Sequence, residues 1–420
     1  MRYLVMIAFR SAWNRRLTLG LTVLAIALSV ALLAGVERMR HSVRSTFAQS
    51  VSGTDLLIGA RGSPLQLMLH AVFRIGEPTG NIRWHSFRQL ADRPEVAWAI
   101  PLSLGDAHHG FPVIGTTAAY FDHFRYGRGS PLVLASGRRP DHLFEVVPGA
   151  DVADQLGYRP GDQITLSHGL DDSDLAEHAD KPFTVVGILA RTGTPVDRSV
   201  HVSLESIEAI HLDWHGGAHL PGLAIPAGQV RKFDLAPKHL SAALIGLHNR
   251  ADVFRLQQAV REFRDEPLQA VLPGVALGQL WQLTGVVETV LLAISALVLV
   301  TASCSMVAVI LAGLNERRRE LAILRSVGAR PRELFLMLLI ESTGLTVVGT
   351  LAGLALLALV SVIGAPLVQQ QFGLTLQQAL PVPGEWRLLM AVVGVGMLAG
   401  LVPGLRAYRH ALAEGLTPRT

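Results

Sequence analysis

The sequence predicts an α-helical membrane protein with four transmembrane helices and one large α+β extracytoplasmic domain. Three observations lead there: four long apolar runs, an uneven placement of arginine, and a 252-residue stretch of mixed polarity, residues 37–288, between the first run and the second. Half of the 420 residues are hydrophobic and 17% are charged. That balance is too apolar for an ordinary soluble chain and too charged for one buried wholly in lipid.

Residues 17–36 form a run of 20 without a charge. As a helix it would be about 30 Å long, the thickness of one hydrocarbon core. Residues 289–314 are uncharged for 26 positions, 334–368 carry only Glu341, and 386–405 carry only Arg387. The first run is longer than the apolar core of a signal peptide and lacks a clean small-x-small cleavage site, so it reads as a retained helix.

Orientation follows from arginine. Just three lysines, Lys181, Lys232 and Lys238, stand among 37 basic residues, and the arginines cluster beside the apolar runs. Four (Arg2, Arg10, Arg15, Arg16) precede the first run, six lie in 315–333, three follow residue 405, and none lies in 369–385. Positive charge resists translocation, so the rich segments stay cytoplasmic. Both termini are then inside and the long domain is outside the cytoplasm. The same placement argues against nucleic acid as the partner of this basic chain and for membrane lipid. The only cysteine, Cys304, lies within an apolar run, so the outer domain is held by its core and not by disulfides.

The resulting division is 1–37 (N-terminus and first helix), 38–282 (outer domain), 283–314 (second helix with a stalk), 315–333 (cytoplasmic segment), 334–368 (third helix), 369–385 (short outer loop), 386–406 (fourth helix) and 407–420 (tail). Within the outer domain, strand, helix and strand patterns at 55–58, 86–91 and 96–104 are answered by 242–247, 253–263 and 268–272. Two β-α-β halves so far apart in sequence predict one split α+β subdomain with a second inserted at about 110–235. The insert shows short strands punctuated by Gly and Pro at 113–115, 144–147, 163–166, 183–189 and 201–203, with short helices at 150–156 and 204–211.

The cytoplasmic segment is the most informative. Leu321, Leu324 and Val327 fall on one helical face at i, i+3, i+6, while Arg317, Arg318 and Arg319 are expected to face water or a partner, with Glu316, Glu320 and Arg325 as further charged positions. Gly328 suits a C-cap, and Pro331 suits the first turn of the next helix. The plainer reading is a charged loop that only sets topology. The functional reading is a helix that docks on a cytoplasmic motor. Residues 316–329, with Leu339-Ile-Glu341-Ser-Thr-Gly344 and Gly400-Leu-Val-Pro403-Gly-Leu-Arg406-Ala-Tyr-Arg409, resemble the MacB/FtsX/LolC permeases, the type VII ABC transporters. The four-helix plan with the outer domain between helices one and two is the same.

That resemblance implies a porter-like subdomain with a sabre-like insert, a second copy as homodimer partner, and a cytoplasmic ABC ATPase holding ATP and magnesium. The chain shows no G-x-x-x-x-G-K-[ST] phosphate cradle, so it is expected to be no enzyme itself and to bind no nucleotide. The implied function is coupling of ATP hydrolysis to conformational change, moving or handing over a periplasmic substrate. The alternatives are an FtsX-like regulator that activates a periplasmic enzyme, and a permease extruding lipoprotein or peptide. Glu341, the one acid well inside a run, either faces the bundle or pairs near the interface.

Fifteen of sixteen histidines lie between the first and second helices. Asp106, His108 and His109 are clustered, His168 and His178 flank an acidic stretch, and His211, His215 and His219 are spaced at i, i+4, i+8. On one helix the last three would share a face and suit zinc, although Gly216 and Gly217 interrupt it. The bland alternative is a solvated, histidine-using surface. The strings His109-Gly-Phe and 192–198 resemble permeases of zinc-responsive uptake systems, which adds a periplasmic substrate- or metal-binding protein as an expected partner.

The topology is tested by cysteine labelling. A cysteine at Ser173 should react with an impermeant thiol reagent added outside, and one at Thr417 should not; labelling of both, or the reverse pattern, contradicts the assignment.

Overall fold

The computed structural model describes residues 16–50, 52–77, 80–168, 178, 180–215, 218–219, 225–316, 326, 329–372 and 383–413. In chain order the elements used below are α1 (Arg16–Gln49), β1 (Leu56–Ala60), α2 (Trp84–Ala91), β2 (Val96–His108), β3 (Phe111–Thr116), β4 (Glu145–Pro148), α3 (Ala150–Leu156), β5 (Gln163–Ile164), β6 (Ser167–His168), β7 (Phe183–Val185), β8 (Val200–Ser203), α4 (Leu204–His211), β9 (Ala242–Leu247), α5 (Val253–Arg261), β10 (Leu268–Val271), α6 (Pro273–Glu316), α7 (Pro331–Phe372) and α8 (Pro383–Ala413). They fall into two compact units, one drawn from 1–42, 284–367 and 376–420 and the other from 43–283 and 368–375.

Among the described residues the first unit holds four helices long and apolar enough to cross a membrane, Arg16–Ser45, Gly285–Gly313, Pro331–Gly364 and Glu385–Arg409. In lipid every backbone polar group must be satisfied without water, which a helix does within its own segment. Helices also pack in lipid by close approach of small residues. Gly349 and Gly353 of α7 lie against Ile26 and Val30 of α1, and Gly396, Gly400 and Gly404 of α8 lie against Thr346, Ser342 and Phe335 of α7. A side chain at any of these glycines would drive the two helices apart. Ile26, Val30, Met306, Ile310, Leu338 and Val392 form the shared apolar centre. The α1–α8 pair is also joined by Arg38 Nε donating to Glu385 Oε1 at 2.6 Å, and Arg40 Nε reaches Glu288 of α6 at 3.0 Å. Glu341 is buried in α7. The helices outrun the apolar runs read from the sequence: α6 alone covers 44 residues, taking in the expected stalk.

The second unit is built on one ten-stranded sheet in the order β10-β1-β9-β2-β3-β8-β4-β7-β5, with β6 pairing β2. The split halves interleave: β1 lies antiparallel between β10 and β9, and β9 lies antiparallel to β2. Helices α2 and α5 cover this part, burying Phe87, Leu90, Val253, Leu256 and Val260 against Leu56, Ile58 and Ile245. The insert has its own core of Phe111, Val113, Val146, Val152, Leu166, Phe183 and Val200. The two parts nevertheless share one sheet, a continuity that separate sequence patterns for each part do not disclose. Strand β2 is 13 residues long, pairing with β9 over its first half and with β3 and β6 over its second.

His201 of β8 sits inside this unit, fully buried, with Nδ1 3.1 Å from the carbonyl oxygen of Val147 and its ring against Tyr120 and Phe121. Burial lowers its pKa to about 3, which outweighs the Val147 carbonyl. The unfolded chain protonates this ring below about 6.5 while the folded chain does not. Stability from this group is therefore complete above that pH and falls as pH drops from there toward 3. The thermal midpoint of the purified chain should decline between pH 7 and 4.5, and His201→Phe should flatten that decline; an unchanged slope in the variant contradicts the assignment.

Candidate functional site

Three distant stretches of chain converge beside the second half of β2. Pairing of β2 with β3 slips by one residue between Leu104 and Ala107, a bulge that uses Gly105 at φ +146°. Bulges re-aim side chains, and the buried Asp106 lies within this one. Across the antiparallel β6–β2 pair His168 stands directly opposite Asp106. The third contributor is α4, which starts at its N-cap Ser203, whose hydroxyl accepts the Ser206 N–H, and ends at His211.

The ligand-type atoms of these residues form a triangle. His168 Nδ1 is 3.1 Å from Asp106 Oδ1, His211 Nε2 is 3.4 Å from the same oxygen, and the two nitrogens are 3.4 Å apart. The other His211 nitrogen, Nδ1, lies 2.8 Å from the Ile207 carbonyl oxygen, where it donates, so Nε2 is left facing the cluster. Asp106 is buried, His211 is partly covered and His168 is largely exposed, so the group opens to solvent on the His168 side.

Electrostatics tie the three together. Burial disfavours the Asp106 carboxylate, but hydrogen bonds and positive charge from His168 and His211 outweigh it and hold its pKa far below the ordinary range. Burial likewise opposes charge on His211, and the Asp106 hydrogen bond, the Asp106 charge and the Ile207 carbonyl reverse that and raise it. Beside them His178 is fully buried, its ring 5.2 Å from His211 and 4.4 Å from Trp214. Neither of its nitrogens has a hydrogen-bond partner among the described residues. Burial, then the charge of His211, lowers its pKa to about 4, so it is an uncharged ring at neutral pH.

The sequence-derived histidine set is only partly assembled. Asp106, His168 and His211 meet, with His178 alongside. His108 points elsewhere: its Nδ1 is 2.6 Å from the Thr165 carbonyl oxygen and its Nε2 is 2.7 Å from the Tyr158 hydroxyl, so both nitrogens are engaged within the fold. His109 sits at the tip of the β2–β3 turn at φ +46°, on the surface. The helical spacing of His211, His215 and His219 is not realised, because α4 stops at His211 and Trp214–His215 pairs antiparallel with Ala218–His219 as a short hairpin. Trp214, Lys181 and Asp213 belong to no sequence motif. Lys181 Nζ lies 2.8 Å from both Asp213 oxygens, both side chains wholly buried, and Asp213 also accepts the Ile225 N–H at 3.0 Å. This pair holds the segment before β7 to the chain after α4. Of the residues expected to form a coupling segment, Glu316 closes α6, while Arg317, Arg318, Arg319, Glu320, Leu321, Leu324, Arg325 and Gly328 lie outside the described residues.

Four membrane-type helices joined to a mixed-sheet outer unit define a multi-pass membrane protein with a large α+β domain. Comparison with known proteins narrows the class. A MacB-like periplasmic core domain matches residues 19–262, and an FtsX-like permease C-terminal domain matches residues 292–412. The chain belongs to the MacB/FtsX family of ABC transporter permeases. It is 23% identical to the pyoverdine export ATP-binding/permease protein PvdT of Pseudomonas fluorescens over 98% of this chain and 59% of that protein. It is also 23% identical to the macrolide export ATP-binding/permease protein MacB of Nitrobacter winogradskyi, over 94% of this chain and 58% of that one. The chain thus spans about three-fifths of the length of these relatives. Among solved structures, the extracellular domain of the ABC-type transporter YknZ aligns at 13% identity and a TM-score of 0.30, over 51% of this chain and 98% of that one. The periplasmic region of MacB from Actinobacillus actinomycetemcomitans aligns at 10% and 0.32, over 55% and 93%.

The Lys181–Asp213 pair gives a direct test of how the site is braced. Lys181→Met strands a buried carboxylate and should cost about 3 kcal/mol or more, whereas removing both charges is far milder. Urea denaturation should show Lys181→Met strongly destabilised and Lys181→Met/Asp213→Asn largely restored; equal loss in both contradicts the bracing role.

Proposed function

We propose that this permease transmits the work of ATP hydrolysis on an ABC ATPase subunit to its periplasmic domain, which changes shape and moves or hands over a periplasmic substrate. The observation that carries this reading is the match of both halves of the chain, outer domain and helices, to one permease family. The relatives are named for export, which favours an outward direction of transfer. The layout supports a mechanical route. One helix, α6, runs from Pro273 to Glu316, about 66 Å at 1.5 Å per residue, and residue 316 is where the amphipathic coupling segment begins. A helix of that length can relay a displacement at one end to the other as a hinge or shear motion.

In this reading the permease works as a homodimer in the bacterial inner membrane. An ABC motor forms its ATP sites between two ATPase subunits, each needing one docking segment, and one chain offers one segment. Leu321 and Leu324 would insert into a groove of the ATPase as helix-in-groove anchors, with Arg317, Arg318 and Arg319 on the rim. Buried anchors carry most of the binding energy, about 2 kcal/mol or more each, while rim charges tune association rate. Leu324→Asp should therefore abolish ATPase co-purification and permease-stimulated ATP turnover while leaving the permease folded in the membrane. Wild-type values for both would exclude this segment as the coupling element.

A further inference from the structure

We propose that Asp106, His168 and His211 form an exchangeable binding site for a divalent late first-row transition metal ion of the zinc class. The geometry comes first. With zinc–ligand bonds of roughly 2.0–2.1 Å, the ligand atoms of a tetrahedral site lie about 3.3 to 3.4 Å apart, whereas an octahedral face with similar bonds has edges of about 3.0 Å. The triangle of Asp106 Oδ1, His168 Nδ1 and His211 Nε2 has edges of 3.1, 3.4 and 3.4 Å, closer to the tetrahedral face. Two imidazoles to one carboxylate suit zinc and its neighbours and not magnesium or calcium, which take oxygen.

The surroundings fit as well. The Ile207 carbonyl accepts from His211 Nδ1, the outer hydrogen bond that fixes the tautomer of a metal-binding histidine. Two ring nitrogens and a carboxylate oxygen lie within 3.4 Å of one another, and without a cation only protons can keep three such groups together. Buried His178, with no partner for either nitrogen among the described residues, stands beside His211, and the nearby Lys181 is already neutralised by Asp213 and Asp180. Three protein ligands leave a fourth position for water or for an incoming donor, the arrangement of zinc sites that react or exchange. Exposed His168 provides the entry side. The ligands come from β2, β6 and α4, so binding would clamp three elements of the outer unit together.

The test uses the full chain in detergent after treatment with a chelator. Zinc is titrated against a chromophoric competitor, and cobalt is added separately as a spectroscopic substitute. The proposal expects one zinc per chain and intense visible bands from four-coordinate cobalt. His168→Asn, a change on an exposed ring, and His211→Asn should each weaken zinc binding at least tenfold, while His142→Ala, an exposed histidine outside the cluster, should not. Circular dichroism of each variant establishes that it is folded, and His168→Asn keeps the test decisive if the more buried His211 variant is not. Binding unchanged in His168→Asn, no binding at micromolar zinc, or the pale spectrum of six-coordinate cobalt would overturn the site. None of these outcomes bears on ATPase coupling, so the site and the proposed function fail separately.

Discussion

The outer domain depends on one strand. The thirteen residues of β2 pair with β9 at their start and with β3 and β6 at their end, so a single run of backbone hydrogen bonds unites the split halves and the insert. Ile100 and Leu102 of this strand are wholly buried and belong to a core that also holds Leu57, Ile114, Val147 and Leu244, drawn from both parts. The bulge near its end turns Asp106 toward β6 and α4. A strand committed to packing along most of its length thus carries a buried carboxylate at its far end. That carboxylate is held in place without contributing to the core.

A different constraint shapes the membrane unit. Apolar side chains gain little by leaving lipid for one another, so close approach and a few polar contacts must hold the helices. The glycines of α7 and α8 recur every four residues, one side of each helix, and set the contact with Ile26, Val30, Thr346 and Ser342. The buried Glu385 accepts from Arg38, an ion pair that fixes the register of α1 against α8. Such a bundle can shift as stiff rods, which is what a transmitting role asks of it.

Much of this was legible in the sequence because hydrophobic periodicity is local. The four runs gave the four helices, and the paired patterns at 86–91 and 253–263 gave α2 and α5. The candidate site was legible only as residue types. Asp106, His168 and His211 are separated by 62 and 43 positions, and it takes the β6–β2 register and the last turn of α4 to bring them together. Spacing misled for His215 and His219, since a helical interval says nothing once the helix has ended at His211. Proximity in sequence misled for His108: residues two apart on a strand share a face, yet both of its ring nitrogens are taken up by the Thr165 carbonyl and the Tyr158 hydroxyl. The Lys181–Asp213 pair left no trace at all, because a buried ion pair between distant positions has no periodic signature.

The central claim is that nucleotide state at the motor reshapes the outer domain of the permease. Its most direct measurement is the distance between spin labels placed at the exposed residue 142 of each of two permease copies, reconstituted with the ATPase and read by double electron–electron resonance. The account predicts that the distance distribution shifts between the nucleotide-free complex and the complex trapped with ATP. A well-defined distribution that stays the same in both states, or no inter-copy distance at all, would contradict it.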